Sequence, residues 1–265
     1  MDATTSTSWE YVPANPAAIK PVDDYSHLLY ARGYVIHTDQ HSPVVPDFWL
    51  RTRFADRIVR WDPRGTLAAY DDGQCGILIF GHALHSELGT TDMRTIGQHL
   101  LDARREGRQQ YLDALEDQFG QFIVVDREGD DIRFQTDAIG LRAAFHNEDA
   151  SLIAAHVRAV GLTLNAPDSK WVEWVSNTRN NDFPGRATRY EGVWQLLPNS
   201  EVQLGTGKIN RVGPRPYTPL TVEQAADLMV PILERQVEIL LSSGRQVLVS
   251  ASAGVDSRTS LAAFA

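Results

Sequence analysis

Within eight positions, Ser250-Ala251-Ser252-Ala253-Gly254-Val255-Asp256-Ser257, the chain collects the groups that hold a phosphate. The apolar run Val247-Leu248-Val249 before them reads as a buried strand. Arg258 to Phe264 after them reads as the first turns of a helix. A strand that passes through small residues into a helix N-terminus leaves backbone N–H groups unpaired where the helix dipole favours an anion. Gly254 has no Cβ to hold a ligand off the backbone. Ser252 and Ser257 offer hydroxyl donors, and Asp256 offers a carboxylate for Mg2+ carried on a polyphosphate. The same residues also suit a plain strand-to-helix turn closed by a Ser or Asp cap. The segment is not a Walker loop, because the glycine spacing differs and no Lys-Ser/Thr pair closes it.

Other residues able to do chemistry are scattered. His82, His85 and Glu87 have metal-ligand chemistry but poor spacing for it, and read as surface or satisfied core groups. Trp171 and Trp174 could stack on a ligand, though core packing of a helix face explains them more simply. The run Asp102-Ala103-Arg104-Arg105-Glu106 reads as a solvated helix face. Asp126, Asp130 and Asp131 flank a turn and read as exposed. Glu234 and Glu238 read as surface charge, and Arg258 either reaches phosphate or pairs locally. The single cysteine, Cys75, lies in an apolar run and reads as a small core residue.

Composition narrows the function classes. Of 265 residues, 43% are hydrophobic, enough for a real core, and the formal charge is -9. That charge argues against nucleic acid or an anionic membrane as a partner reached by bulk electrostatics. One cysteine forbids an intrachain disulfide and fits a cytoplasmic setting. No basic-then-apolar signal opens the chain, and no apolar run approaches about 20 residues.

The elements that must position these groups fall into two blocks. Residues 1–26 lack periodicity and read as a flexible extension. Strands are expected at Tyr34–Ile36, Arg57–Trp61, Thr66–Tyr70, Cys75–Phe80, Phe119–Asp126, Ile132–Gln135, Arg142–His146 and Leu152–Ala155. A hairpin turning at Asn199-Ser200 is expected over Gly192–Leu204. Helical spacing begins near Thr91, again over Arg108–Asp117, and around Trp171. Pro214, Pro216 and Pro219 mark residues 211–220 as a linker, and Thr221 with Gln224 reads as a capping box opening a long helix. Strands segregated from helices indicate an α+β first block; helix, strand, loop and helix begin a second block of α/β type.

The loop resembles the S-G-G-x-D-S pyrophosphate loop of the N-type ATP pyrophosphatases, with Ala253 in place of the first glycine. Two further segments extend the resemblance. Residues Asp117-Gln118-Phe119-Gly120-Gln121-Phe122, running to Asp126, and then Asp137-Ala138-Ile139-Gly140-Leu141-Arg142 are similar to the glutaminase domain of the asparagine synthetase family. Gly192-Val193-Trp194-Gln195-Leu196-Leu197-Pro198 resembles that family's G-I-x-x-L-P-P hairpin. The resemblance implies an αββα sandwich of the N-terminal-nucleophile hydrolase type over residues 27–210. An incomplete ATP-binding domain of asparagine-synthase type would follow over 221–265. It implies ATP and Mg2+ as cofactors, with Ser252, Ala253, Gly254, Val255, Asp256 and Ser257 cradling pyrophosphate. Ser250 and Ala251 would lie near the nucleotide, and Asp256 near the metal.

The departures are specific. The family's glutaminase uses a cysteine at residue 2, and here residue 2 is Asp2. Gly81-His82-Ala83 stands where the family has N-G-E. The expected protein is therefore the N-terminal part of an amide-forming ligase acting on a small-molecule or peptide carboxylate, as in β-lactam synthetases and lasso peptide cyclases, without glutaminase activity and with a homodimer allowed. The expectation of another class is a non-catalytic scaffold of amidotransferase-like fold.

Overall fold

The computed structural model describes residues 6–20, 25–177, 182–214, 216–252 and 254–264. Its strands run over Ser6–Val12 (β1), Tyr34–His37 (β2), Leu50–Phe54 (β3), Arg57–Trp61 (β4), Thr66–Asp71 (β5), Cys75–His85 (β6) and Gln118–Glu128 (β7). Asp131–Thr136 (β8), Phe145–His146 (β9), Leu152–Ala154 (β10), Trp194–Gln195 (β11), Ser200–Gln203 (β12) and Ile209–Arg211 (β13) follow. The α-helices are Met93–Glu106 (α1), Arg108–Glu116 (α2), Val157–Thr163 (α3), Trp171–Ser176 (α4), Val222–Ser242 (α5) and Val255–Ala263 (α6).

Period-two side chains turn these strands into layers. In β5, β6 and β7, Leu67, Leu78, Phe80, Ile123 and Val125 face one way, and Ala68, Ile77, Ile79, Phe122 and Val124 face the other. The first set meets Tyr34, Ile36, Val59, Trp61 and Ile153 of the second sheet. The other set packs on Ile96, Leu100 and Leu101 of α1 and Tyr111 of α2. The far face of the second sheet, through Val35, Leu152 and Ala154, packs on Ala159 and Val160 of α3. The result is an α+β fold in four layers: helices, a seven-stranded antiparallel sheet (β1-β5-β6-β7-β8-β12-β13), a six-stranded antiparallel sheet (β11-β9-β10-β2-β4-β3), and a helix.

Several expectations need correction. The N-terminal stretch is not wholly an extension: β1 pairs antiparallel with β5 at the sheet edge. Trp9 seals it there, with its indole against Gly97 of α1 and its Nε1 donating to Gln98 at 2.8 Å. A Cβ on Gly97 would lie 2.5 Å from the ring, so the glycine is what lets strand and helix approach. The expected Gly192–Leu204 hairpin does not form. Asn199 turns, at φ 58°, but β11 and β12 belong to different sheets, and β12 pairs instead with β8 and β13. The helix-face reading of Trp174 also fails, since it is exposed and meets Trp171 edge-on.

Asp126 and Arg104 overturn two surface readings together. Both are buried, and Arg104 Nε donates to Asp126 at 3.0 Å. Cys75 is half-buried at the start of β6, beside the α1–α2 layer.

The proline segment leads into α5, where the capping box of Thr221 and Gln224 is present. This 21-residue helix buries only Ile239, leaving Leu228, Met229, Val230 and Leu241 exposed. Residues 246–250 run without a ladder partner, and Leu248 is 85% exposed. The buried strand expected at Val247-Leu248-Val249 is thus absent among the described residues, because a strand exists only through hydrogen bonds to a neighbour.

Candidate functional site

At the C-terminal loop the helix start falls as expected, with Gly254 as N-cap of α6. Ser252, Gly254, Val255 and Asp256 are exposed, as are Ser250 and Ala251; Ala253 lies outside the described residues. The loop is tied by its serines. Their hydroxyls are 2.8 Å apart, and Ser257 Oγ donates to the carbonyl oxygen of Ser252 at 2.8 Å and of Gly254 at 3.1 Å. No side chain caps α6, and the amides of Val255 and Asp256 donate to no described residue. By contrast Asp92 caps α1 and Thr221 caps α5. Asp256 sits in the first turn of α6, and no group of three metal-ligating side chains exists among the described residues. This donor set suits a metal that arrives already bound to phosphate rather than one held by the protein alone.

The second group of functional side chains lies at one end of the sandwich. Asp137 builds it. Its buried carboxylate accepts from the backbone N–H of Leu141 at 2.9 Å and of Arg142 at 2.8 Å, and its carbonyl accepts from Gly140 N–H at 2.9 Å. Gly140, at φ 67°, completes the turn. Arg142 is thereby aimed into the gap between the sheets. Its Nε donates to the Gln121 carbonyl at 3.2 Å, its Nη1 to the Arg32 carbonyl at 2.6 Å, and its guanidinium lies 4.9 Å from the Phe80 ring centroid. Gly81 makes room: a Cβ there would sit 2.3 Å from the Gln121 carbonyl oxygen and 2.8 Å from Arg142 Nε.

His82 pairs across the ladder with Gln121. Burial, then the charges of Arg142, Arg245 and Arg32, push its pKa down to about 4, so it is neutral at pH 7. It faces a largely apolar cavity of about 370 Å³, lined on the far side by Leu240, Arg245, Val247 and Leu248. His85, three residues on, is buried. Its ring packs edge-on against His99 at 4.9 Å, and its Nδ1 accepts from Leu88 N–H at 3.4 Å. The two histidines thus do not gather a metal site.

No thiol serves this end of the sandwich. Cys75 is the chain's one cysteine, and seven residues of β6 separate it from His82, roughly 23 Å. Burial also raises its pKa, disfavouring the nucleophilic thiolate. Glu234 stays a surface group, and Glu238 pairs with Arg235 at 3.0 Å.

The sequence marked Asp137 to Arg142 only as a segment of family resemblance, and the strand expected from Arg142 begins at Phe145 instead. It gave no sign of a site at Arg142, nor at Arg32, Arg158 and His156, which line a second cavity beside it. No local pattern marks them, since they come together only through the pairing of β2 with β10.

No family model matches the chain, and no curated protein matches it. Among solved structures it is similar to the glutamine phosphoribosylpyrophosphate amidotransferase from B. subtilis, determined in complex with ADP and GMP. The two are 10% identical with a TM-score of 0.35; the match covers 72% of this chain and 45% of that one. The chain therefore spans less than half the length of that protein.

Proposed function

We propose that this chain is the N-terminal part of an asparagine-synthetase-like ligase that uses ATP and Mg2+ to adenylate a carboxylate and form an amide. The observation that carries the reading is the C-terminal loop. Ser252 and Ser257 meet there in front of a helix whose first amides donate to no described residue. Those amides and hydroxyls would hold pyrophosphate, and Asp256 would hold its magnesium; a bound metal would neutralise charge on the leaving group. The exposed apolar face of α5 and the unpaired run at 246–250 fit a helix and a strand of an α/β layer that further strands would cover.

The sandwich serves as a brace rather than a glutaminase in this reading. Gly81 and His82 stand at the relevant end of β6, and the chain's one sulfur nucleophile lies at the other end. A glutaminase assay should yield no ammonia. In the gene product that carries this chain, Asp256→Ala and Ser252→Ala should each lower pyrophosphate release from ATP by about 10²-fold. Unfolding of the sandwich should not change.

One observation favours a non-catalytic scaffold instead. Ser257 Oγ already bonds two carbonyls of its own loop, as a purely structural turn would. Full biological output from the Asp256→Ala protein would select that reading.

A further inference from the structure

An acidic chain should place carboxylates beside its buried cations, yet one cavity does the opposite. A space of about 590 Å³ at the end of the sandwich is lined by Arg32, Arg142 and Arg158, with Tyr30, His156 and Gln121, and by no Asp or Glu. The chain's formal charge is -9. Arg142 is only 8% exposed and forms no ion pair among the described residues. Two of its nitrogens are spent on backbone carbonyls, which carry no net charge, and its Nη2 donates to no described residue. The Asp137 carboxylate acts on Arg142 electrostatically but is bonded to the backbone amides of Leu141 and Arg142 rather than to the guanidinium. A buried guanidinium with no carboxylate bonded to it is costly, and an anionic ligand would complete the pairing. The volume lies within the ordinary range for small-molecule sites.

The remaining wall is suited to the same task. His156 packs on Tyr30 with ring centroids 5.2 Å apart. Burial and Arg142 hold the His156 pKa down, so it lines the wall as a neutral ring. Arg32 and Arg158 are exposed at the mouth, where long cationic side chains can draw an anion inward.

We propose that this cavity binds a small molecule through an oxyanion group, a carboxylate or a phosphate, seated on Arg142 and flanked by Arg32 and Arg158. The site is separate from the Ser252–Ser257 loop and does not depend on that loop binding ATP.

The test is titration calorimetry on the 265-residue chain at low ionic strength, with glutarate in one arm and inorganic phosphate in the other. At least one anion should saturate below about 10 mM. Arg32→Gln and Arg158→Gln should each weaken it by about tenfold, since each removes a charge-assisted contact. Arg32→Gln leaves the backbone carbonyl that receives Arg142 in place, so the fold should survive. Arg105→Gln, which removes an exposed cation elsewhere, should change nothing. The arm that saturates identifies the source of the oxyanion. Failure of both anions to saturate overturns the proposal. So does equal affinity in the Arg32→Gln and Arg158→Gln proteins, which would mark the binding as adventitious.

Discussion

Two sets of arginines serve opposite ends of the same sheet and differ in their company. At one end Arg104 donates to Asp126 and Glu128 at 3.0 and 2.6 Å, Arg108 to Asp126 and Glu201, and Arg133 to Asp131 and Glu201 at 2.7 and 2.5 Å. Asp126 is fully buried and Glu201 nearly so. Gln135 and Asn210 add bonds to Glu201 at 3.2 and 3.1 Å. Each cation here has a carboxylate, and the network bolts α1 and α2 to β7, β8 and β12. At the other end Arg142 is almost as buried, but its guanidinium bonds carbonyls and faces a ring, while the Asp137 carboxylate acts on it only through space. Burial alone therefore does not separate a structural arginine from one left ready for a ligand. A carboxylate bonded directly to the guanidinium does.

The largest effect should come from breaking the paired end. Glu201→Ala leaves Arg108 with Asp126 alone and Arg133 with Asp131 alone, and Asp126→Ala leaves the buried Arg104 with only the exposed Glu128. Removing one partner of a buried pair costs up to about 3–5 kcal/mol, and the carboxylate that each cation keeps should hold the loss to the lower part of that range. Urea unfolding should record this as a lower midpoint at unchanged slope. A loss below about 1 kcal/mol would mean that solvent reaches the network, and the contrast between the two ends would fail.

Gly97→Ala tests whether pairing or packing holds α1. The new Cβ would press on Trp9, which must shift and carry β1 with it. Overpacking of this kind costs about 1–3 kcal/mol. The loss should appear together with faster proteolysis ahead of β5, while Arg104 keeps both carboxylates. If α1 instead depended on Trp9 more than on Arg104, Gly97→Ala would cost more than Asp126→Ala.

The unpaired end has its own reporter. His82 is held down to about pH 4 by burial and by Arg142, Arg245 and Arg32. Its unfolded pKa is near 6.5, so the unfolded chain binds more protons between these values. The contribution of neutral His82 is complete above about pH 6.5 and is lost as pH falls toward 4. His82→Gln should flatten that part of the stability profile. Ring-proton NMR should find the His82 midpoint raised in Arg245→Gln and Arg32→Gln, but unmoved in Arg133→Gln. An unchanged midpoint in all three would leave burial as the whole cause.

What the sequence disclosed follows from how many faces each element buries. β5, β6 and β7 are covered on both sides, so they appear as continuous apolar runs and were legible. Edge strands were not. β1 mixes Ser, Thr and Glu with Trp9 and Tyr11, and in β3 only Phe54 is buried. Asp126 looked like a turn-flanking acid because its partner Arg104 stands 22 residues earlier on another element. The Asn199 turn was read correctly as a turn, but no local signal says that the chain crosses between sheets there. The helix start at Val255 and the resemblance segment from Asp137 to Arg142 are contiguous, so they stand out in the sequence. The cavity of Arg32, Arg142 and Arg158 joins residues over a hundred positions apart, as the Arg142–Arg32 bond spans 110.

The smallest effect belongs to an arginine that is paired and also exposed. Arg105 donates to Asp72 at 2.9 Å and lies 5.5 Å from the Tyr70 ring centroid, yet its side chain is 42% exposed. Asp72 has other work: its Oδ1 accepts from the backbone N–H of Gln74 and Cys75, closing the β5–β6 turn. Water competes for the guanidinium, so Arg105→Gln should cost less than about 0.5 kcal/mol, and added salt should erase the difference. Asp72→Ala should cost more, because it also frees two turn amides. If Arg105→Gln instead matched Asp126→Ala, carboxylate pairing alone would set the cost and burial would be irrelevant. The three arginine environments would then collapse to two.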